Sequence, residues 1–141
     1  MEQHVVPSFT LLNATIAVVV ALVYIMLLSI VKEPNRQNFN ALMIAGAGAA
    51  YFRGGFGIAE LAFAGAMTLI AFKGLSSYMF IGLGWVSHIC WDVLHHLYGN
   101  PIIPFDLSSS AGCAVCDTIL AIWFFFGAPN VFALIRRGVT T

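Results

Sequence analysis

Long apolar stretches alternate along this chain with short polar or glycine- and proline-rich breaks. The first stretch covers about 8–31 without a charge and opens on Pro7 and Ser8, good helix-start residues. Roughly 20 apolar residues suffice to cross bilayer hydrocarbon, so it predicts a spanning helix. The polar loop Lys32-Glu33-Pro34-Asn35-Arg36-Gln37-Asn38 follows. From Phe39 to Phe72 the apolar run is too long for one ordinary crossing, and Arg53-Gly54-Gly55-Phe56-Gly57 interrupts it. Three glycines beside an arginine punctuate a helix, which predicts helices over about 39–53 and 56–72; one long tilted helix is the alternative. A fourth span is expected over about 76–98, ended by Gly99-Asn100-Pro101-Ile102-Ile103-Pro104. A fifth covers about 108–127, is stopped by Pro129, and leaves Val131–Arg137 as a short interfacial tail.

The pattern predicts an all-α fold: a polytopic transmembrane bundle of about five spans, with 1–141 as a single domain. Composition points the same way. Hydrophobic residues make up 60% of the chain, charged residues 9%, and the mean hydropathy is +0.92; a soluble domain carries about 25% charged residues. With an external N-terminus, five spans put Lys32/Arg36, Lys73 and Arg136/Arg137 on the cytoplasmic side and leave Arg53 outside. Four spans separate Lys73 from Arg136/Arg137, so the expected topology is N-out, C-in. No cleavable signal is expected, because Glu2 and His4 occupy the place of a positive leader. Zero net charge without a basic block argues against nucleic acid as a partner. Ala41, Ala45 and Ala49, and likewise Ala62 and Ala66, recur at the small-xxx-small spacing that lets membrane helices approach.

Against this background stand His88, Asp92, His95 and His96 on the fourth stretch, and Cys113, Cys116 and Asp117 on the fifth. Ionisable groups within a bilayer cost roughly 2.5–3.5 kcal/mol each even on the insertion scale, so such a set implies a site. At about 100° per residue, Asp92 lies about 40° from His88, His95 about 20° to the other side and His96 roughly 80° away. Cys113, Cys116 and Asp117 fall within about 100° of one another. Each helix thus has one polar face, and a loop of about nine residues makes the two helices antiparallel neighbours. Both faces, with Arg53 and Glu60 as candidate supporting groups, are expected in the outer half of the membrane.

Imidazole, carboxylate and thiolate donors together suit zinc, copper or iron rather than magnesium or calcium. The candidate ligands are His88, Asp92, His95, His96, Cys113, Cys116 and Asp117, with Asp92, His95, His96 and Asp117 as candidate catalytic groups. Cys113 and Cys116 also admit a redox reading or plain packing. The bland alternative for the whole set is a hydrogen-bonded polar core that only fixes helix packing.

The motifs Ser77-Tyr78-x-Phe80-Ile81-Gly82, Trp91-Asp92-x-x-His95-His96-x-Tyr98-Gly99-Asn100-Pro101 and Gly112-Cys113-Ala114-x-Cys116-Asp117 carry a family resemblance. The stretch from about Phe72 to Asn130 resembles a family of small bacterial integral-membrane proteins known only as a domain of unknown function. The resemblance implies a bacterial inner-membrane setting with the site facing the periplasm, and transfers no activity.

The leading expectation is a membrane-embedded metal-binding protein, an enzyme acting on a lipidic or small substrate from the outer leaflet with a metal-bound water as nucleophile. A cation, proton or metal transporter is the first alternative, and would need a homo-oligomer to build a pathway. The second is quinone-linked thiol–disulfide exchange, which is short of cysteines here because only Cys90 remains. A structural subunit is the third. Membrane lipids are the expected surroundings in every case.

Overall fold

A computed structural model describes residues 6–52 and 55–138. Among them are six helices and no strand: α1 (Leu11–Ile30), α2 (Asn35–Gly48), α3 (Ile58–Gly74), α4 (Tyr78–Leu97), α5 (Ser109–Phe125) and α6 (Val131–Gly138). Local chemistry sets the ends. Thr10, not Ser8, starts α1, because its side chain accepts from the Asn13 backbone N–H while the Asn13 side chain accepts from Thr10 N–H. Helix α2 reaches back into the polar loop, where the Glu33 carboxylate accepts from Arg36 and from the Gln37 N–H at the helix start. Between α2 and α3 the chain turns rather than running on as one helix. Gly55 and Gly57 both take positive φ there, a conformation glycine adopts without steric cost.

Helix α4 is the hub, packed most extensively on α5 and also on α3 and α2; α2 pairs with α3, α1 lies against α5, and α6 touches α1. Ile44, Met67, Ile81, Leu120 and Phe124 form the centre of the apolar core. Glycines make the closest approaches. A Cβ on Gly84 of α4 would come within 2.6 Å of Ile44 on α2, and one on Gly48 of α2 within 2.6 Å of Met67 on α3. Of the expected alanine stripes, Ala41 is buried, but Ala49, Ala62 and Ala66 face outward. Ala45 packs against the core, and the buried face of α3 is Glu60, Ala64, Met67, Ala71 and Gly74, so the small-residue spacing serves packing on α2 and faces outward on α3.

Polarity is distributed inside out. Asn40, Asp92, His95 and Ser110 have no exposed surface, whereas Leu11, Ile58, Leu69, Phe72 and Phe126 are all at least 70% exposed. By length and composition α1 is the one described helix able to cross a membrane, and α5 is a shorter apolar helix.

At the end of the bundle away from these buried acids, Glu33 accepts from the Tyr78 hydroxyl at 2.6 Å and from Arg36 Nε at 2.8 Å. Partial burial pulls the Glu33 carboxyl up, but the Tyr78 and Arg36 hydrogen bonds and the Arg36 charge outweigh it and hold the group below the ordinary carboxylate range. A pKa lower in the folded state stabilises above the unfolded value, and that contribution is lost as pH falls through the folded value. Thermal unfolding in detergent between about pH 5 and pH 3 is therefore expected to show an acid limb that Glu33→Gln flattens. An unchanged limb in the variant would assign acid sensitivity elsewhere.

Candidate metal centre

Asp92 lies four residues after His88 on α4, so both side chains rise on one helical face. Antiparallel α5 brings Asp117 opposite them. His88 Nδ1 stands 3.1 Å from Asp92 Oδ2 and 2.8 Å from Asp117 Oδ2, and all three residues are buried. The three donor atoms lie within 4.8 Å of one another. The far ring nitrogen fixes the tautomer. His88 Nε2 is 3.0 Å from the Ala47 carbonyl oxygen, and since a carbonyl can only accept, Nε2 carries a proton. The Nδ1 position facing the two acids then takes a second proton, a hydrogen bond from a protonated acid, or a cation. This is the orientation device of metal-bound histidines, which donate their other N–H to a carbonyl or carboxylate.

Charge bears on the choice among them. With both acids ionised an imidazolium leaves one net negative charge buried; one protonated acid, or a divalent ion on a neutral imidazole and two carboxylates, brings the sum to zero. The observed separations of 2.8 and 3.1 Å are those of hydrogen bonds between the ring nitrogen and the two acids, and the three donor atoms are close enough together to hold one ion. Asp92 is oriented in turn: its Oδ1 accepts from the Tyr51 hydroxyl at 2.6 Å. Tyr51→Phe is expected to weaken metal affinity about 10–100-fold, as removal of such supporting partners does, while leaving the stoichiometry intact. Competition against a chromogenic chelator measures it, and unchanged affinity would remove Tyr51 from the site.

The remaining expected residues divide. His95 is fully buried and stacks on Tyr51 with ring centroids 3.7 Å apart; its Nε2 is 3.4 Å from Glu60 Oε1. Glu60 Oε2 accepts from Trp91 Nε1 at 3.3 Å. This pair adjoins the triad through Tyr51 without joining it. His96 is half-buried and outside both groups. Cys113 and Cys116 are free thiols that line a separate cavity of about 250 Å³ with Asn13 and Ser108, between α5 and α1. Arg53 lies outside the described residues. A second cleft, of about 480 Å³, lies between the segment after α2 and the α4–α5 loop, and Tyr51 is part of its wall. Sequence reasoning missed Tyr51, Trp91 and the Ala47 carbonyl. A tyrosine just before the glycine break was the one available signal, and a backbone carbonyl has none.

A model of the family of unknown function DUF6010 matches residues 12–130. The chain belongs to the DUF6010 family. The matched stretch contains Ala47, Tyr51, Glu60, His88, Asp92, His95 and Asp117, while α6 lies beyond it. Membership agrees with the unknown-function family expected from the motifs, and the DUF6010 description names neither an activity nor a cellular setting. No curated protein and no solved structure matches the chain.

Proposed function

We propose that this DUF6010 chain is an integral membrane protein of the bacterial inner membrane that holds a divalent transition-metal ion between α4 and α5. Its ligands are His88, Asp92 and Asp117. The observation that carries the reading is the His88 ring: Nε2 is committed to the Ala47 carbonyl, and Nδ1 faces two buried carboxylate oxygens at 2.8 and 3.1 Å. With the thiols in another cavity, the donors are one nitrogen and two oxygens, a set suited to zinc or iron(II).

The membrane setting is supported by large apolar side chains outward and charged groups inward, the arrangement lipid favours and water penalises. The five longer helices take the places of the expected crossings, although α1 alone among the described helices has the length and composition of a span; His88 and Asp117 lie near the midpoints of α4 and α5, within the depth of the bundle. Three protein ligands leave further coordination positions, which supports a metal-dependent enzyme rather than a closed structural site. When bound, such an ion would supply Lewis-acid chemistry; Tyr51 and the Ala47 carbonyl would hold its ligands in place, and the cleft whose wall includes Tyr51 is the space proposed for a small or lipidic substrate.

The test is elemental analysis of full-length protein extracted from carbonate-washed membranes into detergent. Wild type is expected to retain a divalent transition metal, and Asp117→Asn to lose one equivalent per chain relative to it. Recovery of the protein in the carbonate-soluble fraction defeats the membrane assignment; equal metal in both proteins defeats the triad.

A further inference from the structure

Helix α6 carries an apolar face that the rest of the bundle covers only at its start. At about 100° per residue, Leu134, Val131, Ile135 and Phe132 share an arc of about 160°, and Arg136 and Arg137 flank it on either side. Val131 packs on the core, whereas Phe132, Leu134 and Ile135 are 39%, 51% and 62% exposed. A short helix with an apolar arc bordered by arginines suits the boundary between hydrocarbon and headgroups. Its position is fixed. Asn130 caps it, taking the Ala133 N–H at 3.1 Å and donating to the Ser29 carbonyl of α1 at 2.7 Å. The Ser29 hydroxyl accepts from Val131 N–H at 3.3 Å. Helix α6 therefore begins level with the last turn of α1, the described helix with the length and composition of a span.

Positive charge gathers at the same end. Lys32 follows α1, and Lys73 ends α3, which Gln37 ties to the start of α2 by donating to the Gly74 carbonyl at 2.9 Å. Lys32, Lys73, Arg136 and Arg137 are all exposed. Among the described residues Glu33 is the one acid there, and it is engaged by Arg36. We propose that α6, with Lys32 and Lys73 beside it, is a docking surface for the anionic phospholipid headgroups of the membrane surface. On the membrane reading above, on which this rests, the arc of Leu134, Ile135 and Phe132 sinks among the upper acyl carbons. Arg136 and Arg137 then reach phosphate oxygens, which a guanidinium binds in pairs, and the lysines add charge that a zwitterionic surface does not reward.

Quenching by brominated lipid in vesicles of mixed phosphatidylcholine and phosphatidylglycerol tests this on the full-length chain. Ile135→Trp places a reporter on the arc, and the signal of Trp85, Trp91 and Trp123 is subtracted with the parent protein. Phosphatidylglycerol is expected to associate with the reporter at least about fivefold more strongly than phosphatidylcholine, since one basic residue beside an anionic surface has about that effect. Arg136→Gln/Arg137→Gln is expected to abolish the preference, and high salt to weaken it. Equal quenching by the two lipids, or a preference that the double variant retains, overturns the docking surface and leaves the membrane reading standing. Quenching by neither lipid means that protein, such as a second copy of the chain, covers the arc, and overturns it as well. A chain that does not co-float with vesicles removes both readings.

Discussion

Replacing His88 with leucine is expected to destabilise the metal-free bundle by about 3–5 kcal/mol, the usual cost of stranding buried charge by deleting its partner. Asp92 keeps the Tyr51 hydroxyl, but Asp117 loses the imidazole nitrogen 2.8 Å away, and the Ala47 carbonyl loses its donor. Two carboxylates then face each other inside the bundle. The double variant His88→Leu/Asp117→Asn is expected to recover part of the loss, because it removes one of the stranded charges. Coupling of that size is what residues in one buried network show, whereas distant sites add independently. Unfolding in detergent by denaturant titration measures both proteins. A His88→Leu cost below about 1 kcal/mol, the scale of one ordinary hydrogen bond, would mean that the three side chains are not electrostatically coupled.

Gly48→Ala is expected to act on stability and on the site together. The added Cβ would come within 2.6 Å of Met67 Cβ and 3.2 Å of Ala64 Cα. Neither atom is the free end of a flexible side chain, so α2 and α3 must separate, at about 1–3 kcal/mol for overpacking. The neighbouring Ala47 carbonyl moves with α2, and it anchors His88 Nε2. Metal affinity is expected to fall about 10–100-fold, as it does when an orienting partner is lost. Gly46→Ala is the control: its Cβ meets nothing within 4 Å, and exchanging glycine for alanine within a helix is worth roughly 0.5–1 kcal/mol in its favour. Equal behaviour of the two variants would remove the link between helix spacing and the site.

The apolar stretches made the helices legible, because each is bounded by proline, glycine or polar residues whose backbone preferences end a helix. The α2–α3 break followed from the three glycines beside Arg53. Helix starts were less legible. The Thr10–Asn13 box and the Glu33 contacts depend on side-chain hydrogen bonds that apolar periodicity does not report. Within the site, the i, i+4 spacing of His88 and Asp92 placed them on one face, and the short α4–α5 loop placed Asp117 opposite. Periodicity could not separate Asp117 from Cys113 and Cys116. A spread of about 100° on a helical wheel is wide enough to face two neighbours, and α5 packs against both α4 and α1. Asp117 therefore meets His88, while the thiols face a cavity beside α1. His95 shares the wheel position of His88 but lies two turns further along α4, where it meets Glu60 and Tyr51 instead. Angle on a wheel says nothing of depth along the axis.

X-ray absorption at the zinc edge of the loaded, full-length protein tests most directly whether His88, Asp92 and Asp117 hold the ion. A shell of nitrogen and oxygen at about 2.0–2.2 Å, with imidazole scattering and with zinc reduced in Asp117→Asn, is the predicted result. A sulfur shell at about 2.3 Å, which only the cysteines or methionines could supply, or zinc unchanged in Asp117→Asn, would contradict it.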